Sequence, residues 1–284
     1  MSGSVLADVR RSIGAAIFSR VAGPDGPAVR QRLRRPNGER WFEPGSPITR
    51  VHGDASMFIG GLSALLLQSL HPLAMAGVEQ HSGYRGDPWG RLSRTSHFLA
   101  VTTHGSAEDA RHEVDVVRAV HRRVTGTAPD GRPYAASDPH LLSWVHLAEV
   151  DSFLRAHQRY GAEPLTRAEC DEYVAQSGRV ARALGAIDVP GSVAEVRAQL
   201  CAYRPELAGT PAARATARYL VANPPLPLAL RPAYLPIAGA AVALLPWWAR
   251  WPLRLPWLPV TEATAVRAAG EVVTRTIRWA LPAA

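Results

Sequence analysis

The chain has 284 residues and not one lysine, so its entire basic complement of 32 side chains is arginine. The formal net charge of +8 would suit nucleic acid or an anionic membrane surface. The arginines are dispersed, however, with acidic residues close by and no basic stripe interleaved with aromatics, which excludes a nucleic-acid binder. Lysine's absence beside abundant Ala, Gly and Pro reads as coding bias. Cysteine is nearly missing too. Cys170 and Cys201 lie far apart and outside any CxxC or CxxCH pattern, so a disulfide framework, a zinc ribbon and covalently attached haem lack support, and a reducing compartment fits best. Strand-like alternation is almost absent. The N-terminal MSGSVLADVRRSIGAAIFSR has neither the apolar core nor the cleavage site of a secretion signal. A cytoplasmic protein is expected, with membrane association left open.

An uninterrupted transmembrane run is the next missing feature. Ala55 to Val78 carries no formal charge and is long enough to span a bilayer, yet it contains Gln68, His71 and Pro72. It is expected to be a buried central helix. Pro232 to Ala249 is broken by Pro236 and Pro246 and leads into PWWARWPLRLPWLP. Tryptophan and arginine beside broken apolar helices suit either an interfacial patch or a proline-interrupted packed subdomain.

What is present is helical periodicity in a chain 47% hydrophobic and 20% charged. Helices are expected near 5–20, 55–80, 91–103, 107–124, 139–158, 166–185, 192–207, 211–222, 236–245 and 262–280, several opened by Ser106, Asp138 with Pro139, or Thr166. Loops are expected at GPDGP, YRGDPWG (84–90), TGTAPDGRPY (125–134) and NPPLP (223–227). The fold class is all-α, with a body over 1–223 and a C-terminal apolar helical extension over 224–284.

Eight of the ten histidines lie between His71 and His146. Such density invites a metal, but the spacings discriminate. His112-Glu113 lacks the second histidine of HExxH. His112 and His121 sit on opposite faces of one helix. Glu149 follows His146, the reverse of the Glu-x-x-His order of a di-iron bundle. In VVRAVHRRV (116–124), by contrast, Val114, Val117, His121 and Val124 share one stripe, so His121 faces inward among aliphatics. One neutral imidazole with aliphatic neighbours is what a haem pocket needs; a hydrogen-bonded core histidine in a haem-free helical scaffold meets the same description. A second motif, RLSRT (91–95), groups Arg91, Arg94, Thr95 and Phe98 on one helix face. That face suits dioxygen, a haem propionate, or plain surface ion pairs.

Together HPLAMAGVEQHS (71–82), RLSRT, VRAVH and YAASDPHLLSWVH (134–146) resemble the haem-dependent rubber oxygenases, or latex-clearing proteins, a family that includes the membrane-bound oxygenase of fungal mycophenolic acid biosynthesis and many bacterial members. The resemblance implies an all-α fold with a globin-like core and additional helices, holding haem b non-covalently. It implies His121 as the ligand to iron, Arg118 near the haem edge, and His71 in the pocket wall. It makes Arg91, Arg94 and Thr95 the distal catalytic face and Glu79 the carboxylate base. Arg94 stands where the family carries lysine, and a guanidinium, always protonated, offers no lone pair to iron. The implied partners are O2, an apolar small-molecule substrate and, where the reaction needs one, an electron donor. The alternative is a non-catalytic haem or apolar-ligand binding protein at the membrane surface.

Overall fold

A computed structural model describes residues 2–34, 38–83 and 86–281. Tyr84 and Arg85, in the expected YRGDPWG loop, lie outside the described residues. The chain is all-α apart from one small hairpin. Its helices are α1 (Ser2–Ala22), α2 (Gly26–Arg34), α3 (Pro47–His52), α4 (Met57–Gln68), α5 (Pro72–His81), α6 (Pro88–His104), α7 (Ala107–His121), α8 (Pro139–Tyr160), α9 (Arg167–Leu184), α10 (Val193–Tyr203), α11 (Pro211–Val221), α12 (Arg231–Leu244), α13 (Trp247–Leu253), the one-turn α14 (Pro259–Thr261) and α15 (Arg267–Ala280). Their starts follow local chemistry. Ser106 Oγ accepts from Asp109 N–H at 3.1 Å, Asp138 caps α8, and Thr166 with Glu169 forms a reciprocal capping box at α9. Prolines occupy the first turn of α5, α6, α8 and α11, where a missing N–H costs nothing.

Two expectations are corrected. The single helix over 55–80 is two, α4 and α5, bent by 108°. Pro72 has no N–H to continue the ladder and disfavours helical backbone at the residue before it, and His71 is extended (φ −84°, ψ 114°). The loop over 125–134 carries an antiparallel pair, β1 (Thr125–Thr127) with β2 (Pro133–Ala135), so α7 stops at His121 and not at 124. Gly131, at φ +86°, supplies the left-handed residue of its turn. The short helices α2, α3 and α13 were not expected, because six to nine residues carry too little periodicity to be read.

The core centres on α4 against α8, with α9 to α13 closing around them; Leu66, Leu67, Trp144, Leu147 and Tyr173 are fully buried. Gly60 makes that closeness possible. A Cβ there would stand 3.1 Å from Ala156 Cβ and 3.2 Å from Phe153 Cα. Gly60→Leu is therefore expected to lower unfolding free energy by about 1–3 kcal/mol through overpacking, read as a lower urea midpoint. The C-terminal residues are integral to this packing. Val242, Leu245, Ala249 and Leu253 join the main cluster, and Arg278 clamps Asp54 at 3.0 and 3.1 Å.

Among the described residues no single helix is long and apolar enough to cross a membrane. Only the bent pairs α4 with α5, and residues 228–244 with α13, have the combined length and composition.

Candidate active site

α7 packs on α6 and α9, and α6 on α1, α2 and α3, but among the described residues neither makes an extensive contact with α4, α5 or α8. Half-buried side chains on these two groups of helices include Phe98 and Leu99 on α6, Val117 and His121 on α7, Leu65 and Gln68 on α4, and Val145, His146 and Glu149 on α8. Leu99 and Val145 pack against the main core.

His121 ends α7 at the mouth of the hairpin. Its Nδ1 is sequestered from solvent with no hydrogen-bond partner, and burial holds its pKa below the usual histidine range. Buried polar atoms are rarely left unpaired, and a neutral imidazole is the form that ligates a metal. These two properties fit a haem ligand. The flanking Arg118 is exposed on α7.

α3 and α8 carry further polar groups, of which the sequence reading weighs Glu149 and His146 only as a di-iron pair. Glu149 Oε1 accepts from Gln68 Nε2 at 3.2 Å, and burial pushes its carboxyl up to about 7, a rise only partly offset by that hydrogen bond. One turn earlier on α8, His146 has a buried, unpartnered Nε2; burial, with Arg182 nearby, lowers its pKa to about 4. His52 on α3 contacts Thr103 Oγ1 at 2.8 Å and Tyr173 Oη at 3.5 Å, and burial lowers its pKa to about 3. Their signal in the sequence was faint: Glu149 and His146 are a polar pair three apart on an otherwise apolar helix face.

The other candidates are placed as follows. Arg91 Nη1 donates to Ser82 Oγ at 3.1 Å, fastening α6 to the end of α5. Arg94 is 67% exposed, lies 3.5 Å from Asp87 Oδ2, and lines a groove of about 640 Å³ with Ser19, Arg20 and Trp89 on the α1 side of α6. Thr95 and Glu79 are exposed. His81 Nε2 stands 3.1 Å from both Thr125 O and Tyr134 Oη, and Tyr134 Oη donates to Gln80 Oε1 at 2.7 Å, so the end of α5 is knitted to the hairpin beside His121. His71, 1% exposed, heads α5 near His140 and Glu206, away from the RLSRT face; His140 and Glu206 were not anticipated.

A family model described as the ER-bound oxygenase mpaB/B'/rubber oxygenase catalytic domain matches residues 49–279. The chain belongs to this family. It is accordingly an oxygenase catalytic domain, an enzyme of the oxidoreductase kind, and the match runs from α3 to α15. No curated protein and no solved structure matches the chain.

Proposed function

We propose that the protein is a haem b oxygenase that uses O2 to oxidise or cleave an apolar small molecule bound between the α6–α7 pair and the α4–α5–α8 layer. The observation that carries this reading is His121: a neutral imidazole with a buried, unpartnered nitrogen at the end of α7, in a member of an oxygenase family. Haem b, when bound, supplies the redox-active iron that dioxygen chemistry requires. The protein's own part is binding, orientation and proton control. His121 holds the cofactor, with Arg118 assigned to its surroundings; His71, expected in the pocket wall, instead stands with His140 and Glu206. Phe98 and Leu65 exclude water and give the substrate an apolar wall. Arg91 and Thr95 are assigned to the oxygen-facing side and Glu79 to proton abstraction, whereas Arg94, exposed beside Asp87 on the α1 side of α6, is not placed for that role. Glu149 is better suited than Glu79 to hold or release a proton at neutral pH, because its carboxyl is raised to about 7 while Gln68 fixes one of its oxygens. An external donor supplies electrons if the reaction consumes them. The test is an ultraviolet-visible spectrum of protein from haem-replete cells, before and after dithionite and carbon monoxide, with a pyridine haemochrome assay. A stoichiometric Soret band that shifts with carbon monoxide supports the reading. Absence of haem after reconstitution overturns it.

Residues 224–284 are proposed to be an extension packed on the body whose outer face meets a cytoplasmic membrane surface. Leu228, Trp247, Trp251, Trp257 and Val260 are each at least 65% exposed, an apolar surface with interfacial aromatics that water alone does not favour. Deleting the extension would strip Val242 and Leu253 from the core, so surface substitution is the sound test. The wild type is expected to float with liposomes containing anionic lipid and Trp247→Ser/Trp251→Ser/Trp257→Ser to stay in the dense fraction. Failure of the wild type to float would remove the membrane contact, and with it the support for a surface-bound, non-catalytic ligand carrier, while equal flotation of both would remove these tryptophans from it.

A further inference from the structure

The head of α5, the first turn of α8 and the single turn that follows α10 (Arg204–Glu206) meet at one point, although they lie far apart in sequence. There His71, His140 and Glu206 present one ligand atom each, all within 4.8 Å of one another. His71 Nε2 stands 3.4 Å from Glu206 Oε2, and His140 Nε2 stands 2.9 Å from the same oxygen. Donors around a tetrahedral ion at about 2.1 Å from the metal stand about 3.4 Å apart, so the trio is already near ligand spacing.

Two further observations turn the cluster into a site. His71 is 1% exposed, and neither ring nitrogen makes a hydrogen bond. Its contact with Glu206 has the distance of a pairing but not the alignment. A wholly buried imidazole without a hydrogen bond carries an unmet desolvation cost that a metal bond would meet. The supporting shell is also built. Tyr203 stacks on His140 with ring centroids 4.6 Å apart, its hydroxyl donates to His140 O at 2.8 Å, and the same hydroxyl lies 3.2 Å from His140 Nδ1. A partner on Nδ1 leaves Nε2 as the ligating atom, the arrangement that second-shell groups impose on metal-binding histidines. Arg132, whose field reaches Glu206, spends its guanidinium on Asp130 at 3.0 and 2.7 Å.

We propose that His71, His140 and Glu206 bind a divalent first-row transition ion of the Zn2+ class, separate from the proposed haem site. Two imidazoles and one carboxylate are borderline ligands that select such an ion over Ca2+ or Mg2+ and leave a coordination position for water. Glu206 and His140 are 39% and 49% exposed, so the ion enters from solvent. Bound there, it staples the α4–α5 bend to α8 and to the end of α10, holding α5 where it meets the hairpin.

The test uses the full-length protein, stripped with chelator and returned to Zn2+ or Co2+. The expected result is one Zn2+ per chain by elemental analysis, visible d–d bands with Co2+ that mark low-coordinate ligation, and a raised Tm. His140→Ala and Glu206→Gln change side chains that are 49% and 39% exposed. Both are expected to weaken Zn2+ binding at least about tenfold and to abolish the Co2+ bands, with Tyr203→Phe weakening it less. His121→Ala is expected to leave the Co2+ bands intact, which separates this site from the haem. Failure of the wild type to bind, or equal binding by the two ligand variants, overturns the proposal.

Discussion

If His121 holds haem as proposed, His121→Ala is expected to purify with its helical circular-dichroism signal intact and with less than about a tenth of the wild type's haem content, because it removes the imidazole that would ligate the iron. Nδ1 of His121 is buried without a hydrogen-bond partner, and burial lowers the ring's pKa and favours its neutral form. An unpaired buried polar atom costs about 1–3 kcal/mol, so its removal should leave the apo-protein at least as stable as the wild type. Loss of haem at unchanged apo-stability is the signature of a ligand; loss of both would mark a core residue. His121→Gly with added imidazole supplies the control, since a free ring can occupy the space and restore the Soret band. A variant that keeps stoichiometric haem would remove His121 from the iron and leave α7 without a donor.

Much of the fold and part of this site were legible in the sequence, for reasons that differ from residue to residue. The long amphipathic helices were readable because Ser106, Asp138 and Thr166 mark their starts and period 3.6 runs through them. The bend between α4 and α5 was not. A run of 24 uncharged residues from Ala55 to Val78 outweighed the one proline that breaks it, although Pro72 after His71 was the correct signal. The hairpin hid inside a glycine-rich and proline-rich stretch because three-residue strands show too little alternation to detect. His121 stands out in the sequence as a lone imidazole on an aliphatic stripe. His140 and Glu206 could not, since their meeting with His71 depends on three segments folding together, which no local spacing encodes. The same holds for Gln68 and Glu149, joined only when α4 packs on α8. Arg94 illustrates the limit of motif placement. Its position in RLSRT is plain, while its pairing with Asp87 and its outward groove follow from how α1 lies on α6.

Glu149→Gln is expected to change the pH dependence of both stability and turnover. Burial raises the Glu149 carboxyl from its ordinary 4.5 to about 7. Across that window the native protein keeps a proton that the unfolded chain has released, so stability falls as pH rises. The cost is absent below about 4.5 and complete above about 7, where it amounts to about 3 kcal/mol. Glutamine keeps an oxygen to accept from Gln68 and has no charge to bury. In urea titrations the variant should match the wild type near pH 4.5 and exceed it by about 3 kcal/mol at pH 8. The acid limb should be shared by both proteins. His146 and His52 are lowered to about 4 and about 3, so the unfolded chain takes up their protons first and stability is lost as pH falls from about 6.5 toward those values. Parallel stability profiles on the alkaline side would show that Glu149 does not carry its proton at neutral pH. Turnover divides the two roles open to this carboxyl. If Glu149 moves a proton in the reaction, the more stable variant should be slower by about 10²–10⁴, and its rate should lose the inflection near pH 7. A variant that gains stability and keeps its rate would make Glu149 a buried acid retained for reasons other than chemistry and return the proton-handling role to Glu79.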